Sequence, residues 1–147
     1  MTVRLFITTA NTNFYSALQA FLPALAAETG HDLVLVGSAG DMMTAKKKIA
    51  ATLPDLVICD LGQADGAIDG LAMARWAEQL RSSCSQLSPQ VALCSLYDDG
   101  IFQEASREAG ACAFLVKDNL STQLPFIFRQ LFPRSAFQST TTVALSA

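Results

Sequence analysis

The chain has 147 residues, a formal net charge of −3, and 51% hydrophobic against 16% charged residues; this suits one domain with a sizeable core and excludes disorder. The acidic balance excludes the basic footprint of a nucleic-acid-binding surface, and no stretch reaches the ~18–20 continuous apolar residues of a membrane span. A mean hydropathy of +0.32 points instead to a sheet buried on both faces, or to a surface that meets a partner.

Short apolar runs alternate with helix-period segments from end to end. Val3–Thr8 predicts a strand. Asn11–Asn13 supplies N-cap residues for a helix with Phe14, Leu18, Phe21, Leu22 and Leu25 on its apolar face. Pro23 predicts a kink in that helix or the end of its regular part, and Gly30 closes it. The run Phe21–Ala26 mimics a leader cleavage site, but Asn11, Thr12, Asn13 and Gln19 break the apolar core a leader needs, so a cytoplasmic location is expected.

His31 falls in a turn and reads as solvated; Leu33–Gly37 is the second strand. Asp41 caps a helix with Met42, Ala45, Ile49 and Leu53 inward, stopped by Pro54, and Lys46, Lys47 and Lys48 form its solvated face. Leu56–Cys59, apolar throughout, predicts a central strand with Asp60 at its carboxyl end. A glycine-rich loop from Gly62 to Gly70 leads into a helix with Leu71, Met73, Ala74, Trp76 and Leu80 as buried candidates.

Val91–Cys94 is the fourth strand; Asp98 or Asp99 caps a helix over Ile101–Ala109, ended by Gly110, and Ala111–Val116 is the fifth strand. Asn119 or Ser121 starts a last helix with Leu124, Ile127, Phe128 and Leu131 inward and Pro125 near its first turn. Residues 134–147, rich in Ser and Thr, read as a flexible tail or the start of a linker after a domain over residues 1–133. Cys59, Cys84, Cys94 and Cys112 lack C-x-x-C spacing, so neither a disulfide framework nor a zinc site is expected.

The pattern is (βα)5. Right-handed crossovers turn it into an α/β fold, a doubly wound five-stranded parallel sheet with helices on both faces. Sites in such sheets lie at the carboxyl ends of the strands, which selects Thr8–Asn11, Asp60, Ser95 and Lys117. A carboxylate, a hydroxyl and an ammonium on one rim can accept a phosphoryl group and bind its oxygens. The plainer alternative is that Lys117 pairs with Asp60 and Ser95 caps the next helix.

These residues carry a resemblance. Pro54-Asp55-Leu56-Val57-Ile58-Cys59-Asp60, Val91-Ala92-Leu93-Cys94-Ser95 and Gly110-Ala111-Cys112-Ala113-Phe114-Leu115-Val116-Lys117-Asp118 together resemble the receiver domain of two-component response regulators, over about Val3 to Phe132. The resemblance implies the flavodoxin-like strand order 2-1-3-4-5 and a phosphorelay signalling role rather than an enzyme. It implies Asp60 as phosphoacceptor, Ser95 and Lys117 as phosphoryl-binding residues, and Phe114 as the aromatic that switches with Ser95. It also implies a partner-binding face made by the fourth helix, fifth strand and fifth helix. The partner would be a histidine kinase, another signalling protein or an output domain.

The chain departs from that family where receivers carry an acidic pair for Mg²⁺: the matching positions are Thr9 and Ala10. A carboxylate anchor is then missing, so no cofactor is expected unless Asp65 or Asp69 substitutes as a Mg²⁺ ligand; both read more simply as turn residues. Leu96, bulkier than the family's usual residue, narrows the approach to Asp60. An atypical receiver, or pseudo-receiver, is expected, acting by protein–protein contact with Lys117 paired to Asp60. A phosphorylatable receiver with a rearranged metal site is one alternative. A flavodoxin-like flavin- or phosphate-binding domain, using the Thr8–Asn13 loop and Tyr97, is another. Phe126, Phe132 and Phe137 read as exposed aromatics suited to a partner or to a homodimer through the last helix.

Overall fold

A computed structural model describes residues 2–61 and 68–133. The predicted tail, Phe137 and Asp65 lie outside the described residues. The chain runs β1 (Thr2–Thr8), α1 (Thr12–Thr29), β2 (Asp32–Ala39), α2 (Met42–Thr52), β3 (Leu56–Asp60), α3 (Gly70–Cys84), β4 (Gln90–Ser95), α4 (Gly100–Glu108), β5 (Ala113–Val116), a 3₁₀ turn (Lys117–Asn119) and α5 (Leu120–Leu131). The five strands are parallel in the order β2-β1-β3-β4-β5, the doubly wound arrangement expected from the sequence.

Strand periodicity divides the core in two. Val3, Leu5, Ile7, Leu56, Ile58, Ala92 and Cys94 face α1 and α5, meeting Leu18, Leu22, Leu25, Leu124 and Phe128. Phe6, Val57, Cys59, Val91 and Leu93 face the other way, onto Ala45, Ile49, Met73, Ala74 and Ala77 of α2 and α3. All five residues of β3 are buried because it lies third in the sheet with helices above and below. Gly37 sits opposite Phe6 in β2, where a Cβ would come within 2.9 Å of the Phe6 ring, so the bare backbone makes room for the ring.

Three helices start where short polar side chains predict. The Asn11 Oδ1 accepts from the Phe14 N–H at 3.0 Å, the Asp41 Oδ1 from Thr44 N–H at 2.8 Å, and the Asp99 Oδ1 from Ile101 N–H at 2.9 Å. The Thr44 N–H and hydroxyl also hold the Asp41 carboxyl below its ordinary value. Gly30, with φ 76, ends α1 in the left-handed conformation that glycine adopts without strain.

Several expectations are corrected. Helix α1 passes through Pro23 to Thr29. Pro23 is exposed, so the Gln19 carbonyl it frees faces water. Leu53 is not inward but 41% exposed, in a left-handed cap (φ 48) whose carbonyl, with that of Thr52, accepts from the Arg4 guanidinium. Leu71, Trp76 and Leu80 are half-buried; Ala77 and Gly70 take the inner positions of α3. Pro125 lies in the second turn of α5, and no side chain caps that helix at Asn119. His31 is buried rather than solvated: its Nε2 lies 2.7 Å from the Phe132 carbonyl oxygen, and its ring packs between Phe128 and Phe132. That contact also draws Phe132 onto the core, leaving Phe126 as the exposed aromatic of α5.

Candidate functional site at the carboxyl rim of the sheet

Asp60 ends the most buried strand, and its side chain is 0% exposed. A carboxylate cannot stay ionised there without partners, because leaving water costs several kcal/mol per ion. Among the described residues, the ends of β5 and β1 supply them. The Lys117 ammonium, just past β5, lies 2.8 Å from Oδ1 and is itself only 11% exposed. The Thr9 hydroxyl, just past β1, donates to Oδ2 at 2.7 Å.

Thr9 is fixed from three directions. Its backbone N–H donates to the Ala39 carbonyl at 2.9 Å, its Oγ1 accepts from the Asn11 N–H at 3.0 Å, and its hydroxyl proton points to Asp60. Ala10 is exposed and carries no polar side chain. At the positions where the resemblance would set an acidic pair, the chain therefore has one hydroxyl turned onto the carboxylate, at Thr9, and one exposed methyl, at Ala10.

The structure brings Thr9, Asp60 and Lys117 together as an ion pair with a hydrogen-bond donor. Ser95, at the end of β4, accepts the Tyr97 N–H at 3.1 Å, a local turn; the cap of α4 is Asp99, so the expectation that Ser95 caps that helix is corrected. Leu96 is half-exposed beside it. Phe114 is half-buried on β5 and lines, with Gly100, Gln103, Ser106, Arg107 and Gln123, a cavity of about 490 Å³. The Asp69 Oδ1 caps α3 by accepting the Ala72 N–H at 3.0 Å. In the Thr8–Asn13 loop, the Thr9 and Asn11 side chains are turned onto Asp60 and the first turn of α1.

The sequence reading missed Phe14 as a site residue, taking it only as part of an apolar face. Its ring centroid lies 4.5 Å from the Lys117 Nζ. The signal was its place three residues into a helix that starts at the site rim.

All four cysteines are free. Burial pushes the Cys59 thiol up, and pushes the Cys94 thiol up to about 12 and the Cys112 thiol to about 11. Cys59 and Cys94 also face opposite sides of the sheet, which separates them as a redox pair.

No protein-family model matches the chain, and no curated protein does. Solved structures do. The chain is similar to the signal receiver domain of NarL from Mycobacterium tuberculosis, at 23% identity over 88% of this chain and 94% of that one, with a TM-score of 0.67. A two-component response regulator of the LuxR family from Aurantimonas sp. is 18% identical over 91% and 88%, with a TM-score of 0.72. The isolated receiver domain of RcsB from Salmonella enterica, solved with phosphomimetic BeF3⁻, is 13% identical over 86% and 85%, at 0.68. The fold is thus that of response-regulator receiver domains. Among the described residues no helix is long and apolar enough to cross a membrane.

Proposed function

We propose that the chain is an atypical receiver domain of a two-component-type signalling system, which acts through protein–protein contact with little or no Mg²⁺-dependent phosphorylation at Asp60. One observation carries this reading: the carboxylate at the acceptor position is fully buried, with a hydroxyl on one oxygen and an ammonium on the other. The reading is supported by three strand ends: Asp60 closes β3, Ser95 closes β4 and Lys117 follows β5.

Mg²⁺ seeks an octahedral oxygen shell anchored by carboxylates. Among the described residues, Thr9 and Ala10 bring no carboxylate beside that of Asp60, and Asp69 is engaged in its own helix cap. The donor set does not fit the ion. Among the described residues, an incoming phosphoryl group would then meet an anionic nucleophile with the Lys117 charge to offset its oxygens and no metal-binding acidic pair beside it. Partner recognition falls to the face of α4, β5 and α5, where Ile101 and Phe126 are exposed.

A second reading, a phosphorylatable receiver, draws on the retained Asp60 and Lys117 and on the RcsB relative that was solved with BeF3⁻. An NMR titration with Mg²⁺, then with Mg²⁺ and beryllofluoride, separates the two. The wild-type chain is expected to give no saturable shifts at Asp60, Ser95 or Lys117. Saturable shifts that vanish in Asp60→Asn would overturn the proposal in favour of the second reading.

A further inference from the structure

Helix α1 begins beside the acceptor site, and its first turn is tied to that site by a single residue. The Asn11 N–H donates to Thr9 Oγ1, and the Asn11 Oδ1 accepts from the Phe14 N–H, both at 3.0 Å. Thr9 reaches the carboxylate of Asp60, and the Phe14 ring reaches the ammonium of Lys117. One hexapeptide therefore touches both members of the buried ion pair.

A lysine head is a compact charge on a flexible stem, so a single contact to a carboxylate does not fix it. The face of an aromatic ring at this distance attracts the ammonium without accepting a proton or adding a charge. Phe14 is itself half-buried, and with Leu18, Phe21, Leu120, Lys117 and Asp118 it lines a cavity of about 290 Å³.

We infer that Phe14 is a positioning residue that pins the Lys117 ammonium on Asp60, so that the Thr9–Phe14 segment completes the acceptor site without a metal. This rests on the reading of the site as an atypical receiver, and deepens it by naming what keeps the pair closed. Thr9 orients one oxygen of the carboxylate. Phe14 removes the freedom of the cation that holds the other.

The test uses the full chain and three variants, Phe14→Leu, Phe14→Tyr and Lys117→Met. The ε-methylene protons of Lys117 are expected to be shifted upfield by the ring current in the wild type and in Phe14→Tyr, and to lose that shift in Phe14→Leu. The loss of urea midpoint caused by Phe14→Leu is expected to shrink in a Lys117→Met background. An unshifted Lys117 in the wild type, or an equal loss in both backgrounds, overturns the inference and leaves Phe14 as core packing alone. The Mg²⁺ and beryllofluoride titration of the wild type is read separately. A response there overturns the functional reading even where the ring current is found, and silence there with no ring current removes only the role of Phe14.

Discussion

Two corners of the same sheet rim are built on opposite principles. In the Asp60 corner, the ends of β1 and β5 supply the buried carboxylate with a hydroxyl and an ammonium, and Phe14 of α1 sets an aromatic face against that ammonium. In the α4 corner, the helix buries only Ser106 and exposes Ile101 (84%), with Leu96 and Tyr97 also exposed and the cavity lined by Phe114 beneath. Few buried apolar contacts make an element open at low cost. The contrast teaches that this rim is closely tied where the buried ion pair lies and loosely packed where α4 begins.

The largest expected break in that contrast is Lys117→Met. It takes the ammonium away from a buried carboxylate, and stability should fall by ~3–5 kcal/mol, measured by urea denaturation at pH 7. A fall no larger than that of an ordinary surface change would show that the ion pair does not close the corner. Thr9→Val comes next, removing a hydrogen bond to a charged group while keeping the shape, at ~1.5–3 kcal/mol. Its companion Thr9→Asp should restore a rim carboxylate and confer Mg²⁺-dependent chemical shifts.

In the loose corner the effects are smaller. Asp99→Ala removes the α4 cap at ~1 kcal/mol, and hydrogen exchange should quicken at the amides of Ile101 and Phe102 while those of β3 stay protected. Smallest at neutral pH is the contribution of the buried thiols. Cys94 is raised from its ordinary value of 9.0 to about 12, so the native chain keeps a proton that the unfolded chain releases. Its stabilising effect is complete below pH 9 and is lost as pH rises toward 12. The urea midpoint should therefore hold from pH 7 to 8 and drop between 9 and 10.5; a flat profile would contradict the burial of that thiol.

What the sequence disclosed follows the range of the forces involved. Strand β3 was legible because five consecutive buried positions demand an apolar run, and the caps at Asn11 and Asp41 because a cap acts within three residues. Asp60 and Lys117 were legible as strand-end residues, and their pairing followed from charge. Thr9 read as a missing carboxylate, because nothing local shows that its hydroxyl serves a residue 51 positions away. His31 read as a solvated turn for the same reason: the carbonyl that holds it lies 101 residues on. The end of α2 at its Leu53 cap escaped periodicity because the Arg4 guanidinium, from β1, donates to its last carbonyls.

The contact between His31 and Phe132 has a mechanical consequence. Because β2 is parallel to β1 and His31 precedes it, that contact lies at the pole of the sheet opposite Asp60. Helix α5 starts three residues after Lys117 and ends one residue before Phe132, a span of about 18 Å. It is fastened at one pole by the lysine's ion pair and at the other by an imidazole. A rod held at both ends transmits a push along its axis without fraying. The last helix of this fold is a strut between the buried carboxylate of Asp60 and the far pole.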